Sequence, residues 1–201
     1  MIFFSGWGFD QRVFQPIADR IGPRSESIVC GWSLGALRAM QQAARHPASI
    51  DRLILIGATP RFVQSQDWPD AQPLSLLEDF AQAIIDDSTA ALRRFTTLMN
   101  AGDRPTTRQA LALLAPEDQA TLAVGLTELR ECDLRHKVPT IKTPTLLLQG
   151  ENDPLMPLAA AQWLATHLPH ARLHIFPKTA HAPHLSQPDA VAEVISDFLH
   201  E

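Results

Sequence analysis

Cysteine is nearly absent: Cys30 and Cys132 are the only two in 201 residues. Neither has a partner at C-x-x-C spacing, which argues against a disulfide framework or a cysteine-based zinc site. Long apolar runs are missing too. None approaches the ~18 residues of a membrane helix. The opening Ile2-Phe3-Phe4 is far too short for a secretory leader, and the first basic residue is Arg12. The expectation is a cytoplasmic protein with no membrane partner. Positive charge is in short supply, with 17 Lys and Arg against 22 Asp and Glu and a net charge of −5, which argues against nucleic acid held mainly by charge. The 9 glycines fall below the usual share of about 7%, while the 16 prolines exceed theirs of about 5%. Each glycine cluster therefore needs a reason. The rest is ordinary. A composition of 45% hydrophobic and 19% charged residues suits one globular domain, or one with an insertion, whose core needs no covalent staple.

Short β-like runs alternate with helical stretches. Strands are expected at 1–4, 27–30, 53–56, 145–148 and 172–176, the third being a continuous apolar run of the kind covered on both faces. Val13, Phe14, Ile17, Ala18 and Ile21 have helical spacing over 10–21, and Gly22-Pro23 breaks the pattern. A second helix is expected at 34–45. The tail, 189–199, is amphipathic through Val191, Val194, Ile195 and Phe198. Between them, 61–140 carries helical patterns at 74–85, 88–100, 106–114 and 117–131, with Ser88 as an N-cap and Pro116 where a helix can begin. Strand–helix alternation on both sides of an all-helical stretch predicts an α/β core, 1–60 and 141–201, interrupted by a helical cap at 61–140.

Gly31-Trp32-Ser33-Leu34-Gly35 is a G-x-S-x-G pattern between a strand and a helix. A nucleophile elbow needs that context, because the sharp turn strains the serine and leaves no room for a Cβ at the flanking glycines. A serine hydroxyl needs a base, and the base needs an orienting acid, in the chain order Ser, acid, His at later strand ends. Asp153 follows the strand 145–148, with Glu151 as the runner-up acid, and His181 follows 172–176. The other seven histidines, His46 and His184 among them, read as surface residues. Two backbone N–H groups should hold the oxyanion: Leu34, at the start of the elbow helix, and Trp7, in the small-residue turn Gly6-Trp7-Gly8. Trp7 and Trp32 can equally serve as core aromatics or wall an acyl pocket.

These blocks resemble the α/β-hydrolase superfamily, and within it the pimeloyl-acyl-carrier-protein methyl ester esterases of biotin synthesis. Gly6-Trp7-Gly8, the elbow, and Ala58-Thr59-Pro60-Arg61-Phe62 leading to Asp67-Trp68-Pro69 carry the resemblance. So do Arg94-Phe95, Asp133-Leu134-Arg135 and Lys178-Thr179-Ala180-His181-Ala182-Pro183. It implies a serine carboxylesterase with Ser33 as nucleophile, His181 as base, Asp153 as acid and no cofactor or metal. It further implies Trp32 and Phe95 along the acyl channel, and an acyl-carrier protein as partner. Cap arginines would receive that carrier: Arg94 and Arg108 match family positions, whereas two others are alanine, near Ala90 and Ala112. Residues 88–116 hold Arg93, Arg94, Arg104 and Arg108 with only Asp103 opposing, a pattern also consistent with a solvated helix face.

Two departures from the family stand out. Ser5 replaces the usual histidine before the oxyanion glycine, and the stretch from Trp7 to Ser33 is shorter than the family commonly has. The chain also starts at the strand that is normally third. A shortened fold is therefore expected, with five parallel strands in sequential order, 1–4 and 172–176 at the edges, and an apolar flank exposed on the first strand. The assembly is expected to be a monomer or weak dimer. Haloalkane dehalogenases and epoxide hydrolases need a carboxylate where Ser33 stands. The remaining rivals are a broad short-acyl carboxylesterase or thioesterase and a non-catalytic binding module on the same fold.

Overall fold

A computed structural model describes residues 1–201. Its strands are β1 (Ile2–Phe4), β2 (Ile28–Trp32), β3 (Arg52–Ile56), β4 (Thr145–Gly150) and β5 (Ala171–Phe176). All pair in parallel, and the spatial order is the chain order, as the shortened form of the family fold implied. The middle strands are apolar runs because both of their faces are covered: Leu53–Ile56 and Leu146–Leu148 are buried throughout. At the β1 edge Ile2 is exposed, while Phe3 stacks on Phe14 with ring centroids 4.7 Å apart.

The helices are α1 (Gln15–Ile21), α2 (Leu34–Arg45), α3 (Leu74–Met99), α4 (Arg104–Ala112), α5 (Gln119–Glu131), α6 (Leu158–His167), α7 (Pro183–Ser186) and α8 (Pro188–His200). Helix α2 packs on β1, β2 and β3, and α6 on β4 and β5, while α1, α7 and α8 pack with one another and α8 reaches β4. No helix is long and apolar enough to cross a membrane.

Several boundaries differ from the sequence reading, each for a local reason. The helix expected at 10–21 opens as a 3-10 turn, Gln11–Phe14, and becomes α-helical only at Gln15, where Pro16 fits the first turn. Helix α3 is broken at Asp87 (φ −159°, ψ 98°), so two helical halves exist as expected. The cap between them is Asp87, whose carboxylate accepts the Ala90 N–H at 3.0 Å, and not Ser88. Helix α5 starts at Gln119, beyond Pro116, because the Asp118 carboxylate accepts the Thr121 N–H at 2.7 Å. Helix α6 escaped prediction. Leu158, Ala159, Ala160, Ala161, Trp163, Leu164 and Ala165 are apolar nearly all round, which erases the 3.6-residue pattern.

Helices α3 to α5 lie between β3 and β4, and a polar clasp ties the two ends of that excursion together. The Leu134 N–H donates to the Pro60 carbonyl at 2.8 Å, and Arg61 bridges to Asp133. The Asp133 carboxylate accepts from Arg61 at 2.8 Å and from Arg135 at 2.7 Å. Arg135 also reaches Asp67 at 2.9 Å and lies over the Trp68 ring, whose indole N–H donates to the Arg61 carbonyl at 3.0 Å. Burial opposes ionisation of Asp133, but the hydrogen bonds from Arg135 and Arg61 outweigh it and hold the carboxyl well below the usual aspartate range. A depressed carboxyl contributes stability above its unfolded pKa of ~3.9, and that contribution is lost as pH falls toward the folded value. Asp133→Asn should therefore cost about 2 kcal/mol near neutral pH, since the half-buried Arg61 loses its carboxylate partner and Arg135 keeps only the exposed Asp67. Urea unfolding of both proteins at pH 7 and at pH 3 tests this: the difference should be large at the first and shrink at the second. A constant gap would contradict it.

Candidate active site

The turn from β2 into α2 leaves little freedom. Ser33 sits at its tip with φ +58°, a left-handed conformation that a serine adopts only when its surroundings impose it. Its N–H donates to the Ile56 carbonyl at 3.0 Å, which docks the tip on the end of β3. A Cβ on Gly31 would collide with the Gly35 carbonyl, and one on Gly35 with the Phe4 carbonyl. The spacing of the two glycines around Ser33 is thus a steric requirement of α2 crossing β1 and β2 at close range.

Asp153 lies in the turn after β4 and His181 in the loop after β5, both buried. The Asp153 Oδ1 accepts the N–H groups of Leu155 and Met156, each at 2.9 Å. Its Oδ2 faces the His181 Nδ1 at 2.7 Å and accepts from the Gln149 side chain at 3.1 Å. Glu151 is directed elsewhere, since its carboxylate accepts the Lys178 N–H at 2.9 Å in an exposed turn. The imidazole of His181 packs over Gly57, a φ +53° residue at which a Cβ would lie 2.9 Å from His181 Cε1. The His181 N–H donates to the Met99 carbonyl at 3.1 Å, and its carbonyl accepts the Trp32 indole N–H at 2.9 Å. Backbone and ring are both held. The second ring nitrogen, Nε2, is buried without a hydrogen-bond partner, so no bond joins it to Ser33 Oγ here. Catalytic hydrogen bonds often tighten only once substrate is seated.

Gln149 and Gly57 were not singled out from the sequence. A glutamine ending a strand and a glycine following one carry no motif of their own. The surface reading is wrong for His184, though it holds for His46. The His184 ring is fully buried between Phe14 and Trp32, with both nitrogens unpartnered. Burial, helped by the charge of His181, pushes its pKa down to about 3, so it packs as a neutral aromatic ring.

The turn after β1 brings Trp7 beside the elbow. Neither the Trp7 nor the Leu34 N–H has a backbone acceptor, and both residues line one small cavity with Gly6, Thr121 and Gly125. Ser5 is not what anchors this turn. The Phe9 N–H closes it onto the Gly6 carbonyl at 3.1 Å, and the Ala115 N–H reaches the Gly8 carbonyl at 2.9 Å from the helical excursion. Leu92 of α3 fills the space where a Gly8 Cβ would stand.

The remaining expected residues are spread out. Trp32 has no exposure and stands behind His181, against Phe9 and His184, and not along an open channel. Phe95 packs edge-on to Trp7 at 4.9 Å, and Phe80, unremarked in the sequence, packs edge-on to both. Arg94 is exposed, with its guanidinium 5.4 Å from the centre of the Phe80 ring, in a depression it shares with Asp86 and Asp87. Arg108 lines a separate depression at the α3–α4 corner with Arg104. The two arginines do not share one pocket. No cluster of histidine, cysteine and carboxylate side chains suited to a metal ion is present.

The alpha/beta hydrolase family matches residues 5–194. The pimeloyl-[acyl-carrier protein] methyl ester esterase of Aromatoleum aromaticum is 43% identical over 185 residues, covering 87% of this chain and 74% of that protein. Its counterpart in Nitrosomonas europaea is 41% identical over 180 residues, covering 86% and 70%. The protein of the same name from Xanthomonas campestris pv. campestris (strain B100) is 28% identical over 239 residues, covering 99% of this chain and 94% of that one. That aligned length exceeds the 201 residues here, so this relative carries segments without a counterpart. Among solved structures, an esterase from Exiguobacterium antarcticum superposes with a TM-score of 0.89 at 18% identity, covering 100% and 91% of the two chains. The enol-lactonase of Burkholderia xenovorans LB400 gives 0.85 at 18%, covering 100% and 90%. At those identities the likeness concerns the fold.

Proposed function

This chain belongs to the alpha/beta hydrolase family and is a carboxylic ester hydrolase, and from that premise we propose that it hydrolyses the methyl ester of pimeloyl-acyl-carrier protein with Ser33, His181 and Asp153. The observation that carries the reading is the buried Asp153–His181 pair, with the free Nε2 of His181 on the side away from the carboxylate and Ser33 strained at its elbow. His181 Nε2 takes the proton from Ser33 Oγ, which attacks the ester carbonyl. The oxyanion of the tetrahedral intermediate accepts the N–H groups of Leu34 and Trp7. Collapse expels methanol, which leaves with the proton from His181, and a water molecule then releases the acid by the same route. Asp153 keeps the His181 Nδ1 protonated and stabilises the imidazolium that forms.

Residues 61–140 act as the cap in this reading. Phe80, Leu92 and Phe95 of α3 and Gly125 of α5 already pack on the turn that carries the Trp7 N–H. The acidic carrier meets the cap arginines, Arg94 and Arg108. The likeness at 43% and 41% identity to enzymes named for that substrate supports the choice over a generic short-acyl ester.

Two substrates test it, the methyl ester of pimeloyl-acyl-carrier protein and a p-nitrophenyl acyl ester. The purified protein should turn over the carrier-borne ester with the higher kcat/KM. Activity on the small ester alone would favour a broad esterase, and inactivity on both would leave only a binding module. Arg94→Glu with Arg108→Glu should lower kcat/KM on the carrier substrate about tenfold at low salt, and the gap should narrow as salt rises. An equal loss on both substrates would remove the docking role.

A further inference from the structure

Gly125 stands in the middle of α5, where glycine is the poorest helix former after proline, in a chain with only 9 glycines. What surrounds it explains why. A Cβ at this position would lie 2.6 Å from Trp7 Cδ1, 3.2 Å from Trp7 Nε1 and 3.2 Å from Leu34 Cδ2. The side chains of both residues offered as oxyanion donors therefore converge on one bare spot of one helix. Just upstream on the same helix, the Leu122 carbonyl accepts the Trp7 indole N–H at 2.8 Å. Phe95 and Phe80 of α3 close the other sides of the indole. Trp7 and Leu34 come from different parts of the core, the turn after β1 and the first residue of α2. Helix α5 is where they meet.

We propose that Gly125, together with the Leu122 carbonyl, positions the oxyanion hole. The bare helix surface at Gly125 sets how closely the Trp7 and Leu34 side chains approach α5, and through them where their backbone N–H groups point. The inference rests on the Ser33 reading above and extends it: the helical excursion forms part of the device that stabilises the transition state as well as covering the site. Movement of α5 away from the core would release the Trp7 indole and misdirect its N–H.

Gly125→Ala is the test, assayed on a p-nitrophenyl ester and with a boronic acid, which binds Ser33 Oγ as a tetrahedral anion and so reports on the oxyanion donors. kcat should fall about tenfold or more with KM changed less than twofold, and boronate affinity should fall by the same factor as kcat. The thermal midpoint should fall by a few degrees and no more, because the overlap with Trp7 is partly offset by the better helix propensity of alanine. Should Gly125→Ala fail to fold, Trp7→Phe carries the test. It keeps an aromatic ring and the backbone N–H but loses the bond to Leu122, and should move kcat and boronate affinity together. Val124→Ala, at an exposed position of the same helix, should match the parent in both. A Gly125→Ala protein with parental kcat and boronate affinity overturns the proposal, as does a fall in kcat with boronate affinity unchanged. A parent protein that hydrolyses no ester fails earlier, at the Ser33 reading itself.

Discussion

Ser33→Ala should lower kcat on a p-nitrophenyl ester by about 10⁶-fold, the scale on which nucleophile removal acts in serine hydrolases. The residual rate would come from substrate binding and the oxyanion donors, which do not depend on Oγ. Folding should be almost untouched. The φ of +58° strains alanine about as it strains serine, and His181 Nε2 has no hydrogen bond to lose. The urea midpoint of the variant should therefore match the parent while activity collapses. A loss of only tenfold would mean that another group attacks the ester, and the triad assignment would fall.

Asp153→Asn should cost about 10⁴-fold in kcat, for a reason written into its hydrogen bonds. Oδ1 accepts two backbone N–H groups, from Leu155 and Met156, so the amide oxygen of an asparagine must take that place. Its NH2 then faces His181 Nδ1 and the Gln149 amide, which also donates. The imidazole answers by moving its proton to Nε2, the nitrogen that must be free to accept from Ser33. The donor-to-donor contact with Gln149 adds a stability cost of about 1–3 kcal/mol, visible as a lower urea midpoint. Glu151→Gln, which touches only the Lys178 N–H, should leave turnover within a few-fold of the parent. If Glu151→Gln were the crippling change and Asp153→Asn the mild one, the acid would be Glu151.

Much of the core was legible in the chain. The strands at 53–56 and 145–148 announce themselves because covered parallel strands need apolar residues on both faces, whereas the sequential sheet order came from the resemblance to a family fold in shortened form. The elbow is equally plain, because the steric demands at Gly31, Ser33 and Gly35 arise within a few residues of one another. Elsewhere the signal was weak. Ser88 reads as a helix cap in the sequence, but the backbone break falls one residue earlier and makes Asp87 the cap. Trp32 looked suited to a substrate wall, since an aromatic next to a nucleophile reads the same whether it faces a channel or backs the histidine loop. Arg94 and Arg108 share one sequence cluster but lie on different helices and in different depressions.

By itself the sequence determined the strands and the elbow, features whose cause lies between near neighbours along the chain, while the architecture that the elbow belongs to supplied the order serine, acid, histidine. Tertiary structure alone decided which of two carboxylates, two residues apart, meets His181. It alone showed that His184 is a buried neutral ring, that Gly57 makes room for the imidazole, and that Gly125 makes room for the Trp7 and Leu34 side chains at once. Those outcomes depend on contacts across the fold, as in the pairing of Asp153 with a histidine 28 residues away. Periodicity and motif spacing record which face a residue occupies on its own element. They do not record what another element brings to that face, and the chemistry here is assembled from such meetings.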